Sequence, residues 1–208
     1  HKAALEAIAG AVASAGYTLG KDIFIGLDVA ANSFYNEKDN TYALMPENIT
    51  LNWDDLMATY GEWVKNYHIM SIEDGLNEDD WEGWRKMKER CSLVHGTSGD
   101  AIMLIGDDLL VTNVKRVERA IQENACNAVL IKLNQIGTVS ETVDCVKLAQ
   151  SNGMNVVVSH RSGETVDDFI ADFSVAVGAR FIKTGSRSRG ERIAKYNRLL
   201  AIENELAH

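Results

Sequence analysis

At 208 residues, 46% hydrophobic and 25% charged, the chain can bury one sizeable core and reads as a soluble globular domain, not a disordered or fibrous one. A formal charge of −9 and a pI near 5.0 argue against a nucleic-acid backbone or an anionic membrane surface as partner. Cys91, Cys126 and Cys145 fit no CxxC or Cys/His zinc pattern, and neither a signal peptide nor an apolar run of bilayer length is visible, so a reduced, cytoplasmic setting is expected.

The first residues, HKAALEAIAGAVASAGY, carry a helical pattern with Leu5, Ile8 and Val12 on one side and an exit near Gly16 and Gly20. No methionine or cap precedes it, so a fragment of a longer protein is expected. A strand follows from Ile23 to Leu27, ending at Asp28. NSFYNEKDNTYAL reads as a loop or small hairpin. Thr50 or Asn52 is placed to cap a helix from Trp53 to Asn66, and Ile69 to Ile72 is the next strand. Asn77 is the expected cap of a helix from Glu78 to Arg90, with Trp81 and Trp84 as packing residues; HGTSGD after it reads as a surface loop. Ile102 to Ile105 leads into Gly106-Asp107-Asp108, and Thr112 or Asn113 opens a helix reaching Asn124.

AVLIKLN, from Ala128 to Asn134, has the length and β-branched content of a strand buried on both faces, yet it carries Lys132 near its end. Thr138 and Glu141 form a capping-box pattern for a helix to Asn152. NVVVSH precedes Gly163-Glu164-Thr165 and a helix from Val166 to Val177. FIKTG precedes Ser188, a possible cap for the last helix, Glu191 to Glu205. Met70, Met87 and Met103 are read as core.

Each apolar run delivers an ionisable residue near its C-terminal end: Asp28, Glu73 with Asp74, Asp107 with Asp108, Lys132, His160 with Arg161, and Lys183. Alternating strands and helices imply an α/β fold with parallel strands and right-handed crossovers. Polar ends spread over six strands favour a TIM-type (β/α) barrel, incomplete here at six of eight strands, over an open sheet that concentrates its site at one switch point. The absence of GxGxxG and GxxxxGK[ST] lowers the dinucleotide and nucleoside-triphosphate readings.

Carboxylates from three strands, Asp28, Glu73 and Asp107, are hard oxygen ligands suited to Mg²⁺. Any one alone is more often a cap or a salt-bridge partner; three in equivalent positions shift the balance to metal. Asp74 and Asp108 turn to the other side of their strands and are expected to serve the loops. Lys132 and Lys183 arrive at the same mouth, where burial near a metal and a second cation lowers a lysine's pKa toward general-base range; the alternative is a lysine simply paired with a carboxylate. His160 alone would be a core histidine, but with Arg161, Ser162 and Gly163 it looks like an anion cradle. The loop Gly185-Ser186-Arg187-Ser188-Arg189 could attract phosphate or merely be an exposed charged loop.

In order, GLDVAANSFY, SIEDGLNEDDW, GDDLLVTN, LIKLNQIGTVSET, VSHRSGET, IADFSVAVGA and IKTGSRSRGERIAKYNRLLAIENEL resemble the C-terminal barrel of enolase over nearly the whole chain. The glycine after IED resembles the bacterial pattern. The resemblance implies Mg²⁺-dependent dehydration of 2-phosphoglycerate to phosphoenolpyruvate in glycolysis, reversible in gluconeogenesis. It implies Asp28, Glu73 and Asp107 as Mg²⁺ ligands, with Glu73 and Asp107 also lining the substrate site. Lys132 becomes the base, Lys183 a cation facing the substrate carboxylate, Arg161 and Ser162 phosphate ligands, and His160 a substrate contact. It further implies a homodimer for the complete protein. In the family, the glutamate pair that helps hydroxide leave, a substrate-binding histidine and a loop serine lie upstream of the position of His1, with a separate N-terminal domain and two barrel strands. The alternative is a catalytically inert fragment or binding module with weak Mg²⁺ and phosphate affinity. A third reading, an acid-sugar or muconate-type enzyme, fits the Arg161-Ser162 pair less well.

Overall fold

The computed structural model describes residues 1–45, 47–92 and 101–207, so the expected HGTSGD loop lies outside the described residues. Two compact units are present, His1–Leu109 with Gln122–Cys126, and Leu110–Ile121 with Asn127–His208.

In the first unit, α1 (Lys2–Ser14) buries Leu5 and Val12 but leaves Ile8 46% exposed, so its packed stripe is narrower than the sequence suggested. The chain leaves it through Gly16, at a φ of +82° that a glycine adopts without strain. Strand β1 is Ile25–Asp28. A single 3₁₀ turn, Ala31–Phe34, then feeds three short antiparallel strands, β2 (Tyr35–Asn36), β3 (Thr41–Leu44) and β4 (Ile49–Leu51). The stretch reads from sequence as a loop or small hairpin; the structure makes it a three-stranded sheet, whose third strand of three residues shows no alternation to count. Asn40 and Asn48 make its turns in the left-handed conformation their side chains tolerate.

Helix α2 (Trp53–Tyr67) starts where Asn52 accepts the Asp55 N–H at 3.0 Å. Strand β5 (Ile69–Glu73) pairs parallel with β1, and β6 (Met103–Gly106) parallel with β5. Helix α3 (Trp81–Ser92) begins three residues later than expected: Asn77 accepts the Asp79 N–H in a turn, and Asp80 takes the capping role toward Gly83 at 2.9 Å. Trp84 and Met87 are fully buried, and Trp84 donates its indole N–H to the Asn77 carbonyl, closing that turn. Met103 is also buried, whereas Met70 is half-buried.

The second unit opens with α4 (Val114–Gln122), at whose start Asn113 accepts the Lys115 N–H. Strand β7 (Ala128–Ile131) stops before Lys132, and the residues after it form a short helix, α5 (Leu133–Ile136). Every residue of β7 is fully buried, each large side chain worth about 1.5–3 kcal/mol. Helix α6 (Val139–Ser151) is capped by Thr138. Strand β8 (Asn155–Ser159) pairs parallel with β7 and with β9 (Phe181–Lys183).

Helix α7 (Phe169–Ala176) starts three residues after Val166, because Thr165 and Asp167 spend their side chains on the N–H groups of Asp167 and Phe169 in a preceding turn. Helix α8 (Gly190–Leu206) has Arg189 before its first turn and no side-chain cap; the Ser188 hydroxyl pairs with Ser186 instead. Cys91, Cys126 and Cys145 are free thiols. Among the described residues no helix is long and apolar enough to cross a membrane.

Candidate active site

In the first unit the register sets Asp28 beside Glu73, at the ends of β1 and β5, while Glu73 pairs with Ile105, two residues before Asp107. Three carboxylates thus stand at or just past the C-terminal ends of three neighbouring parallel strands. Glu73 and Asp107 are buried and Asp28 is exposed. Among the described residues, the carboxylates whose oxygens lie within 4.8 Å of one another are Asp74, Asp107 and Asp108; Asp28 and Glu73 stand outside that group.

Asp74 organises this edge. At φ +44° it turns out of β5, and its carboxylate accepts the N–H groups of Asp107 at 2.9 Å and Asp108 at 2.8 Å. Burial pushes its pKa up to about 7; the two N–H bonds hold it down, and the charges of Asp107 and Asp108 raise it again. With both oxygens committed to backbone donors, Asp74 shapes the loop that carries Asp107. Asp108 accepts from the Asn32 amide, which also donates to Glu78, while Asn32 Oδ1 accepts from the Glu78 N–H and from Asn77. Asn32 is not among the residues the sequence singles out: its stretch reads as a loop or small hairpin, and its partners lie 45–76 positions away.

The second unit gathers the cationic candidates. Lys132 is half-buried; its N–H donates to the Thr112 hydroxyl at 3.0 Å, and that hydroxyl donates to Gln135 at 2.7 Å. Thr112 and Val111 both sit at positive φ, +53° and +43°, a strained choice for β-branched residues that fixes this brace beneath the lysine. Lys183 ends β9, and its carbonyl accepts the His160 N–H at 2.9 Å. Arg161 and Ser162 are exposed, and Arg161 donates to Asn134 at 2.9 Å.

Three α8 residues missing from the sequence reading hold these loops. Arg192, Lys195 and Tyr196 have the i, i+3, i+4 spacing of one helix face. Arg192 donates to His160 Nδ1 at 2.6 Å and to the carbonyls of Arg161 and Ser162, both at 2.9 Å. Lys195, fully buried, donates to the Thr165 and Glu191 carbonyls and pairs with Glu164 at 2.5 Å. Tyr196 donates to the Gly185 carbonyl. Burial alone would raise Glu164, but its bonds to Lys195 and to the Arg161 N–H outweigh that and hold it below the usual glutamate value.

The model of the family described as "Enolase, C-terminal TIM barrel domain" matches residues 1–208. The chain belongs to that family. Its six strand–helix steps are therefore those of a TIM-type (β/α) barrel domain, six of the eight such a barrel contains. Enolase from Helicobacter pylori (strain HPAG1) is 52% identical over 202 residues, 97% of this chain, and enolase from Helicobacter acinonychis (strain Sheeba) is similar to the same extent. The chain spans 46% of the length of these curated relatives. Within each unit the ionisable candidates stand at C-terminal strand ends, where such barrels build their sites: carboxylates ending β1 and β5 and following β6 in the first, Lys132 following β7 in the second.

Proposed function

We propose that this chain is the barrel portion of an enolase that removes water from 2-phosphoglycerate to give phosphoenolpyruvate, with activity requiring residues outside this chain. The observation that carries the reading is the chemistry of the strand ends within a family match over residues 1–208: carboxylates ending β1 and β5 and following β6, cations following β7 and β8 and ending β9. On this reading Asp28, Glu73 and Asp107 hold Mg²⁺. The donor set fits, since all three offer hard oxygen, and Asp74 positions the loop that carries Asp107 by accepting its backbone N–H. Bound Mg²⁺ would offset the negative charge of the substrate carboxylate.

Removing a proton from the carbon beside an ionised carboxylate places a second negative charge on that group. Two unit charges about 4 Å apart interact by about 4 kcal/mol at an effective dielectric near 20, so stabilisation has to come from several cations acting together. Lys132 takes the proton, Lys183 faces the carboxylate, and Arg161 and Ser162 bind the phosphate, the guanidinium offering a two-pronged donor fork. His160 contacts the substrate. The complete protein is a homodimer of the cytoplasm in this reading.

In the complete protein, Lys132→Ala is expected to abolish exchange of the substrate's C2 proton with solvent while calorimetric Mg²⁺ binding persists. Retained exchange would overturn the role of Lys132. The share of its relatives that the chain spans favours one further reading, that the isolated chain binds Mg²⁺ and phosphate weakly without turnover. Phosphoenolpyruvate formation by the isolated chain would refute that second reading.

A further inference from the structure

Arg192 makes its shortest contact not with a carboxylate but with an imidazole nitrogen, His160 Nδ1 at 2.6 Å. A guanidinium carries only donors and does not give up its proton in proteins. The nitrogen facing it must therefore be the bare, accepting one, which leaves the single ring proton of a neutral imidazole on Nε2. We propose that Arg192 is a positioning residue that fixes His160 as the neutral Nε2–H tautomer, so that His160 meets the substrate as a hydrogen-bond donor and not as a proton-transferring acid. The substrate half of this statement rests on the function proposed above; the tautomer does not.

The rest of the arrangement leaves Arg192 little freedom. The same guanidinium is anchored to the carbonyls of Arg161 and Ser162, so the fork cannot swing away without giving up two bonds. Gly185, at φ +85°, supplies the room: a Cβ there would stand 2.8 Å from Arg192 Cδ and 3.0 Å from the imidazole Cε1. Tyr196, one helical turn on, holds the Gly185 carbonyl, so the glycine that makes room is itself tied to the helix that carries Arg192. From the other side the His160 main chain is fixed by the Lys183 carbonyl.

The charges around the ring point the same way. Burial holds His160 below the usual histidine value, Arg192 lowers it further and Lys183 adds to that, against the opposing pull of Glu164 and the Thr184 backbone. Glu164 is turned to Lys195 and to the Arg161 N–H, which limits its claim on the ring. A ring protonated on both nitrogens would set an N–H against a guanidinium N–H, so protonation has to break the Arg192 contact.

The deciding measurement is the nitrogen NMR spectrum of the full-length protein with ¹⁵N-labelled histidine, His160 being assigned through the His160→Gln variant. The expected spectrum near pH 7 has Nδ1 unprotonated and Nε2 protonated. Arg192→Met is expected to release the preference, giving mixed tautomers and a higher titration midpoint, with kcat/KM down about 10–100-fold, by analogy with removal of the partner that orients a metal-bound histidine. Arg192→Lys, which keeps one donor but loses the fork, should retain the tautomer and recover part of the activity. A wild-type ring carrying its proton on Nδ1 or on both nitrogens overturns the proposal, even if Arg192→Met fails to fold. So does an Arg192→Met spectrum identical to wild type. An intact tautomer in a full-length protein that turns over no 2-phosphoglycerate would instead sink the function proposed above and leave the Arg192–His160 pairing standing.

Discussion

The two units meet the same electrostatic difficulty, like charges gathered at strand ends, with opposite halves of the peptide group. In the first unit the crowded groups are carboxylates, and backbone N–H donors order them: Asp74 takes the N–H groups of Asp107 and Asp108. In the second they are cations, and the α8 cations that hold the neighbouring loops are ordered by backbone carbonyls: Arg192 on Arg161 and Ser162, Lys195 on Thr165 and Glu191. A peptide dipole orients a charged group without neutralising it. In the second unit Lys195 also forms an ion pair with Glu164. That difference predicts where the molecule is fragile.

The largest effect is expected there. Lys195→Met leaves the Glu164 carboxylate and two carbonyls without their cation, and breaking such a buried pair typically costs about 3–5 kcal/mol. Chemical denaturation of the complete protein should show that loss. Glu164→Gln added to Lys195→Met should restore part of it, because the stranded charge is gone; a double variant that simply adds the two losses would show the pair to be uncoupled. The pH dependence has a definite sign. The folded-state pKa of Glu164 lies below its unfolded value, so its contribution is full above about pH 4.5, the ordinary glutamate value, and is lost as pH falls through the folded-state pKa. Lys195→Met should therefore lose less stability in acid than at neutrality, and an equal loss at both would remove the ion pair from the explanation.

Next comes the edge of carboxylates. Asp74→Asn keeps the shape and tolerates the positive φ, but its single carbonyl oxygen cannot replace two carboxylate oxygens, one on each N–H. One donor is then left against an amide NH₂, at about 1–3 kcal/mol. If the N–H bracket is what presents Asp107, Mg²⁺ affinity measured by calorimetry should fall together with stability. Unchanged Mg²⁺ binding in a destabilised variant would separate the bracket from the ion site.

What the sequence disclosed and what it hid follow the same division. Strand β7 was visible because four adjacent apolar residues and a lysine admit few readings, and the strand ends were visible because each is a charge after an apolar run. The run AVLIKLN reads as one strand to Asn134, yet Lys132 follows the strand and precedes α5: an apolar run of this length does not announce where extended backbone becomes helical. Arg192, Lys195 and Asn32 were hidden for a different reason. Apart from the Glu191 carbonyl, their partners are backbone and side-chain groups 30–76 positions away, and no local pattern records such bonds. The Asp80 cap was missed because Asn77, three residues earlier, is an equally good capping residue, and only the closed turn shows that it is already occupied.

The smallest predicted effect tests the comparison where charge plays little part. Asn52 caps α2 in the first unit and Thr138 caps α6 in the second, each accepting one N–H, at 3.0 Å and 3.2 Å. Each substitution by alanine should cost about 1 kcal/mol, with no change in Mg²⁺ binding for Asn52→Ala or in the His160 spectrum for Thr138→Ala. If the two units unfold as one cooperative body, both variants lower the same transition by similar amounts. If they unfold separately, each variant moves only the transition of its own unit, and calorimetry resolves two peaks. The caps are suited to this purpose because they touch none of the strand-end groups. A shift in substrate affinity from either would mean that helix starts, and not only backbone dipoles at the strand ends, set the geometry of the site.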